Sequence, residues 1–242
     1  EIIRKKDYII KNYKLFIILG VTSITIFNSI VYYSLNFTQV ISGVLMISTI
    51  PVMIMFFSSI LKIEKTNIFQ VIGVILSFLG VIIIITKANF EILKNLNFNK
   101  GDITMVIAML SWALYSTLLK KQKYEISQLS LLQVVMSFGL IFLIPIYFIE
   151  YQLGFRITLE KPFILILSYV VLLPGLASFI LWIKGISIIG ANRSGVFLHL
   201  MPIMSAIMAM IIFNEKFMFY HMLGACFIIT GILLSNKKVR NA

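Results

Sequence analysis

Residues 51–80 of this chain recur, without insertion or deletion, 151 positions later at residues 202–231. In so apolar a sequence, the matches that carry weight are those of proline, glycine and charged residues. They pair Pro51 with Pro202, Glu64 and Lys65 with Glu215 and Lys216, Gly73 with Gly224, and Gly80 with Gly231. Repetition at a fixed spacing indicates that one folding unit was duplicated. The chain is therefore expected to fold as two related halves.

The composition predicts a membrane protein that crosses the bilayer several times. Hydrophobic residues make up 60% of the chain and charged residues 12%, and the mean hydropathy is +1.01. These values lie far from those of soluble domains. A helix of about 20 apolar residues crosses the hydrocarbon core, and eight stretches approach or exceed that length. They are residues 15–35, 40–61, 68–86, 103–119, 129–148, 163–189, 195–213 and 220–234, of which the last is short.

The position of the repeats within these spans predicts an inverted architecture. An odd number of spans separates the copies, so the second copy enters the membrane in the opposite orientation. We expect an all-α polytopic protein built from an inverted repeat of five-helix units, with eight helices in this chain (3 + 5) and ten in an intact one. Roughly two helices are expected ahead of Glu1. The predicted divisions are a first repeat at 1–86, an external linker at 87–100, a second repeat at 101–236 and a basic cytoplasmic tail at 237–242.

The net charge of +12 is explained by topology and does not indicate binding to nucleic acid. The chain has 21 lysines and arginines, and they lie between the predicted spans. If the N-terminal segment is cytoplasmic, fifteen of them fall on the cytoplasmic face and six on the other. An excess of lysine and arginine marks the cytoplasmic side of a membrane protein. Both termini are therefore predicted to be cytoplasmic, and the lipid bilayer is the expected surrounding.

The distribution of reactive residues argues against an enzyme. All nine acids fall in loops or at the ends of predicted helices. The two histidines, His199 and His221, lie in different helices and have no cysteine, aspartate or glutamate at metal-ligand spacing. The single cysteine, Cys226, can form no internal disulfide. We predict no catalytic residues, no metal site and no cofactor.

The repeated residues are expected to shape and pack helices. Proline removes a backbone donor within a helix, so Pro51 and Pro202 predict a bend in each copy. Glycines seven residues apart share a helix face and permit close contact. Such faces are formed by Gly73 with Gly80 and by Gly224 with Gly231, and they fit packing within one protomer or at the surface of a homodimer. The Glu-Lys pairs at 64–65 and 215–216 are expected to anchor helix ends, and a role in gating is the alternative.

Two ionisable residues lie within or near the predicted spans. Such residues are functional candidates by default. Lys184, two residues after Trp182, fits either an interfacial anchor or a cavity charge. His199, three residues before Pro202, fits either the lining of a transport path or a hydrogen bond to a neighbouring helix.

Aromatic and hydroxyl side chains suggest a cavity for an organic solute. Ser111, Trp112 and Tyr115 are spaced so that they share helix faces, and Asn28 and Tyr32 offer a comparable polar surface. An aromatic wall with a few hydroxyls suits a solute that is partly apolar. Hydrogen bonding between helices explains each of these residues equally well.

These residues resemble the EamA-type proteins of the drug/metabolite transporter superfamily. The resemblance covers nearly the whole chain and is strongest over residues 190–202, 214–216, 221–225 and 230–231, with residues 111–115 matching the tryptophan-containing start of the family's second repeat. Asn214, where the family often has glycine, and Pro174-Gly175 depart from the pattern. The resemblance implies a carrier of the bacterial inner membrane, with both termini inside and a central cavity between the repeats. It implies metabolites, amino acids or drug-like molecules as solutes, usually moved outward.

Two functions from different classes follow. The first is a secondary transporter that works by alternating access, with Trp182, Lys184 and the other residues named above as candidates for its cavity. The second is a truncated or degenerate membrane scaffold that does not transport and binds a partner through its glycine faces. A channel is disfavoured because the sequence has no ring of like charges.

Overall fold

A computed structural model describes residues 1–89, 91–96, 99–156 and 160–237. Within these ranges the regular structure is entirely helical. The helices are α1 (Lys6–Lys11), α2 (Tyr13–Leu35), α3 (Val40–Ile47 and Ile50–Ile60), α4 (Ile68–Ile85), α5 (Glu91–Lys94), α6 (Lys100–Leu119), α7 (Gln128–Gln152), α8 (Lys161–Ile189), α9 (Ala191–Phe213) and α10 (Phe219–Ser235). The predicted all-α fold is confirmed. Beyond Lys237, the predicted basic tail lies outside the described residues.

The eight predicted spans correspond to α2, α3, α4 and α6 to α10. Of the helices in the described ranges, 7 are long and apolar enough to cross a membrane, and α10 is shorter, with 17 residues. Their polar ends are capped locally. Asn67 and Gln70 form a reciprocal capping box at the start of α4, and Asn99 and Asp102 form one at the start of α6. Such caps satisfy backbone donors that the first helical turn leaves free.

Helix α6 lies at the centre of the bundle and α8 at its edge. In the most apolar window of α6, 67% of residues are buried, against 6% for α8. Helix α6 packs against α2 and both parts of α3, and α2 also packs against α7. Many side chains on the outer faces are large and apolar, which is the surface that a bilayer requires. The charged ends and the apolar faces therefore fit a multi-pass membrane protein.

Helices α4 and α10 cross in close, antiparallel contact through the predicted glycines. A β-carbon added to Gly73 would lie 2.5 Å from the carbonyl oxygen of Gly231, and one added to Gly80 would lie 2.6 Å from that of Gly224. Contacts this short leave no room for a side chain. The glycine faces are thus filled within the chain itself.

The two helices that carry the repeated prolines are interrupted at equivalent places. In α3, the helix stops at Ile47 and restarts at Ile50, so that Pro51 lies in the first turn of the second part. In α9, a 3₁₀ turn at Phe197–Leu200 precedes the part that begins at Met201, so that Pro202 takes the same position. Proline is well tolerated in a first helical turn, where its missing N–H has no helical partner to lose.

Helices α2 and α8 each contain a segment of π-helix. These segments are Val21–Ile26 and Val171–Ala177, and they lie about 151 residues apart. A π-helical turn displaces the side chains after it and is frequent at functional sites. The first segment ends directly before Phe27 and Asn28, and the second ends two residues before Phe179.

Candidate functional site

An aromatic cluster lies where α2, α6 and α8 meet. The cluster consists of Phe27, Trp112, Tyr115, Phe179 and Trp182. Trp112 is at its centre, with ring centroids 4.5 Å from Phe27, 5.2 Å from Tyr115, 5.3 Å from Phe179 and 5.9 Å from Trp182. Of the candidates, the structure thus brings Trp112, Tyr115 and Trp182 together. Phe27 and Phe179, which the sequence analysis did not name, complete the cluster.

Hydrogen bonds hold the cluster to the surrounding helices. The indole N–H of Trp182 donates to Ser116 Oγ at 3.1 Å. The hydroxyl of Ser111 donates to the carbonyl of Thr22 at 2.7 Å, within the π-helical segment of α2. Ser111 therefore joins α6 to α2 and lies behind the aromatic rings as a positioning residue.

Tyr115 has a buried hydroxyl with no partner. Its side chain is fully buried, and its Oη forms no hydrogen bond to any described residue. An unpartnered buried hydroxyl costs about 1–3 kcal/mol. A ligand that reached this hydroxyl could supply the missing partner, so it is the polar candidate within the aromatic cluster.

Asn28 and Tyr32 border a small cavity beside the cluster. The cavity has a volume of about 150 Å³, and Phe179 also contributes to its wall. Asn28 donates from its amide to the carbonyl of Ser23 at 2.9 Å, whereas the ring of Tyr32 is largely exposed. The two residues thus line the same cavity.

His199 lies away from the aromatic cluster, between α3, α4 and α9. It is completely buried; its Nε2 is 2.9 Å from the carbonyl oxygen of Ser48, and its Nδ1 is 2.6 Å from Ser77 Oγ. Ser77 Oγ is also 3.0 Å from the carbonyl of Val74. The Ser77 hydroxyl can therefore donate to Nδ1 when the ring is neutral, or to Val74 when Nδ1 itself carries a proton. One set of atomic positions accommodates both forms of the ring.

Lys184 is exposed near the end of α8 and lies apart from these groups. Within the described residues its ammonium makes no hydrogen bond or ion pair, and only its backbone carbonyl is used, as an acceptor for Ser187. This position fits the interfacial anchor that the sequence analysis kept as one of two alternatives.

A larger cavity lies elsewhere, at the loop that joins α6 to α7. Its volume is about 620 Å³; Leu119, Leu131 and Ile183 contribute apolar walls, and Lys120, Lys121 and Lys123 lie at its rim. Tyr124 also lines it, and burial raises the pKa of its hydroxyl. The phenol is therefore neutral at physiological pH, and the charge of this cavity is that of its lysines. No sequence motif indicated this cavity.

Comparison with known proteins gives a consistent result. The sequence profile described as "EamA-like transporter family" matches residues 2–86 and 99–237. The uncharacterized transporter YyaM of Bacillus subtilis is 24% identical over 98% of this chain and 77% of its own length. An uncharacterized transporter of Archaeoglobus fulgidus is 26% identical over 91% of this chain and 75% of its own.

A solved crystal structure has the same fold. It aligns with a TM-score of 0.67 and 13% sequence identity, and the alignment covers 90% of this chain and 76% of that one. At this identity the likeness concerns the fold alone. The profile match extends over most of the chain, and it agrees with the apolar helices described above. This chain is a multi-pass membrane protein that belongs to the EamA-like transporter family.

Proposed function

We propose that the protein is a secondary transporter that exports small organic solutes by alternating access between two inverted repeats. The observation that carries this proposal is a pair of reciprocal contacts. Gly73 contacts Gly231, and Gly224 contacts Gly80. At the repeat spacing of 151 residues, Gly224 is the counterpart of Gly73 and Gly80 is the counterpart of Gly231, so the second contact repeats the first with the two copies exchanged. Two antiparallel copies related by a twofold axis would meet in this way.

The aromatic cluster is the proposed contact surface for the solute. It combines five aromatic rings with the unpartnered hydroxyl of Tyr115 and lies beside the cavity of Asn28 and Tyr32. No carboxylate is found among the residues that line this cavity. Such a surface favours a planar or partly apolar solute that accepts or donates a hydrogen bond.

The lysine-rimmed cavity is the proposed entrance from the cytoplasm. Its rim carries three lysines, and the excess of lysine and arginine on this side of the chain supports a cytoplasmic position. A concave, positively charged entrance raises the local concentration of anionic groups. The solutes are therefore expected to carry a carboxylate or another anionic group.

The inverted architecture can be tested by labelling single cysteines. Cys226 is the native cysteine and is replaced by serine. Lys65→Cys and Lys216→Cys are then expressed in the full chain and treated in intact cells with a membrane-impermeant maleimide. We expect labelling of Lys216→Cys from outside and of Lys65→Cys only after the membrane is opened. Labelling of both from the same side would contradict the inverted repeats.

Transport itself can be tested in membrane vesicles. Everted vesicles from cells that express the full chain are screened with radiolabelled aromatic and aliphatic amino acids and related organic anions. We expect saturable accumulation of one chemical class, reduced by Trp112→Ala. A full chain that folds, labels as above and moves none of these solutes would favour the scaffold. The scaffold has less support, because its proposed glycine faces are already filled within the chain.

A further inference from the structure

The packing of α3 against α9 differs between the two ends of the pair, whereas exact twofold symmetry would make the two ends alike. These helices are antiparallel, with the start of α9 next to the end of α3: a β-carbon added to Gly195 would lie 2.9 Å from Ile54 Cδ1 and 3.4 Å from Pro51 Cα. We call this the closed end. At the opposite end, the open end, the part of α3 before Ser48 packs against α4 and α6, while the part of α9 after Met201 packs against α4 and α10.

Burial of equivalent residues follows the same asymmetry. At the closed end, Ile50 is 2% exposed and Ile54 is fully buried. Their counterparts 151 positions later are Met201, which is 43% exposed, and Ser205, which is also exposed. The second part of α9 has Pro202 as its buried residue. The two helices are therefore tightly packed at one end and separated at the other.

Glu64 forms the contact that holds the closed end together. Its carboxylate accepts hydrogen bonds from the backbone N–H groups of Ala191, at 3.1 Å, and Asn192, at 2.9 Å. These are the first residues of α9, where free N–H groups and the helix dipole both favour a negative charge. The approach is possible because Gly190 has a φ of +92°, and a β-carbon there would collide with the Glu64 carboxylate.

Glu215, the counterpart of Glu64, makes no equivalent contact among the described residues. Its side chain is exposed, and among the described residues it does not accept a hydrogen bond from Ile41, the counterpart of Asn192. The residue before α3 is Gln39, with an extended backbone, where α9 is preceded by Gly190. Of the two equivalent glutamates, Glu64 therefore binds the start of a helix, and Glu215 makes no such contact among the described residues.

We propose that Glu64 is a latch that closes one side of the protein, and that transport requires this contact to break while Glu215 binds the first N–H groups of α3. The proposal rests on the alternating access proposed above. If the termini are cytoplasmic, the structure corresponds to a state in which α3 and α9 are closed toward the cytoplasm, and the lysine-rimmed cavity is the mouth of the entrance in front of this closure. The two glutamates of the repeated Glu-Lys pair are then alternating gate contacts.

The test uses two serines, one buried and one exposed, as accessibility probes in the full chain with Cys226→Ser. Ser58→Cys lies one turn beyond Ile54 at the closed end, where Ser58 is fully buried, and Ser205→Cys lies at the open end. The rate of reaction with a charged methanethiosulfonate reagent is measured for each, without solute. Glu64→Gln should raise the rate at Ser58→Cys about tenfold, as expected for the loss of charge-assisted hydrogen bonds, and lower it at Ser205→Cys.

Three further variants distinguish a specific effect of the Glu64 contact from a nonspecific destabilisation of the helix bundle. Glu215→Gln should shift both rates in the opposite direction, because it weakens the other state. Gly190→Ala should act like Glu64→Gln without removing a charge. Glu125→Gln is the control, because its carboxylate pairs with Lys5 on the surface at 3.1 Å and should leave both rates unchanged.

The proposal would be overturned by unchanged rates in Glu64→Gln or by rates that rise together at both probes. If Glu64→Gln does not fold, Gly190→Ala carries the same test. Because no solute is needed, a failure of the latch and a failure of the transport function give different results. Shifted rates without any flux would reject the transport function alone, whereas flux with unshifted rates would reject the latch.

Discussion

His199 bonds to the backbone of its own counterpart. Its Nε2 lies 2.9 Å from the carbonyl oxygen of Ser48, the residue 151 positions earlier. In the proposed inverted repeat, two equivalent residues can touch only if both lie next to the axis that relates the two copies. The contact also lies at the interruptions of α3 and α9, between the closed end and the open end. A change of His199 should therefore affect both the stability of the bundle and the movement of these helices.

The first prediction separates these two roles of His199. His199→Ala leaves the Ser48 carbonyl without this partner, which should destabilise the protein by about 1–3 kcal/mol, whereas the Ser77 hydroxyl can still donate to the carbonyl of Val74. His199→Gln keeps one donor and one acceptor and should retain most of the stability. If His199 carries the coupled proton, both variants should lose the pH dependence of flux. Thermal unfolding in detergent and flux at several pH values check these outcomes, and pH-dependent flux in His199→Gln would remove the residue from coupling.

The second prediction concerns the crossing of α4 and α10. Gly73→Ala places a methyl group 2.5 Å from the carbonyl oxygen of Gly231, so it should destabilise the protein by about 1–3 kcal/mol. Gly43→Ala is the matched control, because its nearest neighbour would be Met105 Cε at 3.7 Å. That control should be neutral or slightly stabilising, since alanine is the better helix former. Equal effects of the two substitutions in a detergent unfolding assay would show that the crossing tolerates side chains.

The third prediction uses the unpartnered hydroxyl of Tyr115. Tyr115→Phe removes a buried polar group that has no partner among the described residues, so the stability should stay the same or rise by about 1 kcal/mol. The affinity for the solute should nevertheless fall, by about tenfold if one hydrogen bond to a charged group is lost. Comparison of the thermal midpoint with the half-saturating solute concentration tests the two parts separately. A loss of stability with unchanged affinity would mean that the hydroxyl serves the fold.

The fourth prediction concerns the lysine-rimmed cavity. Replacing both Lys121 and Lys123 by glutamine should lower the initial rate of flux of an anionic solute at low ionic strength by about tenfold. The difference should shrink as salt is added, because screening weakens long-range attraction. Lys94→Gln, on the short helix α5, removes a positive charge away from this cavity and serves as control. A deficit that persists at high salt would indicate direct contact with the solute.

Hydropathy predicted the spans well because apolar length is the main requirement for crossing a bilayer. The predicted span 68–86 and the observed helix Ile68–Ile85 nearly coincide. Helix α9 begins at Ala191, four residues before the predicted start at 195. The difference arises because Asn192 and Arg193 are polar, and their place in the first turn depends on Glu64, which comes from a distant part of the chain.

The aromatic site was only partly predictable. Trp112 and Tyr115 share one helix and could be grouped by spacing, whereas Phe27 and Phe179 join them through the packing of α2 and α8. The π-helical segments that direct these two residues have no signature in apolar periodicity, since an extra residue in a turn is stabilised by contacts between helices. The close contact of Gly20 with Gly139 was missed as well, because no repeat marks it.

The role of Glu64 shows what an internal repeat does not reveal. The sequence treats Glu64 and Glu215 alike and suggested that both anchor helix ends. In the part of the chain that the structure describes, Glu64 binds the start of another helix and Glu215 does not. A duplicated sequence indicates which contacts are available to both copies, and it does not indicate which of them forms in a given structure.

The glycine contact between α4 and α10 has a mechanical consequence for the whole molecule. With backbone against backbone at Gly73, Gly80, Gly224 and Gly231, these helices can neither slide nor separate without losing their closest contacts. They would serve as a fixed pivot, and any change of shape must come from the interrupted helices beside them. In the proposed transport cycle, a compound that separated this crossing would therefore block the movement without entering the solute pathway.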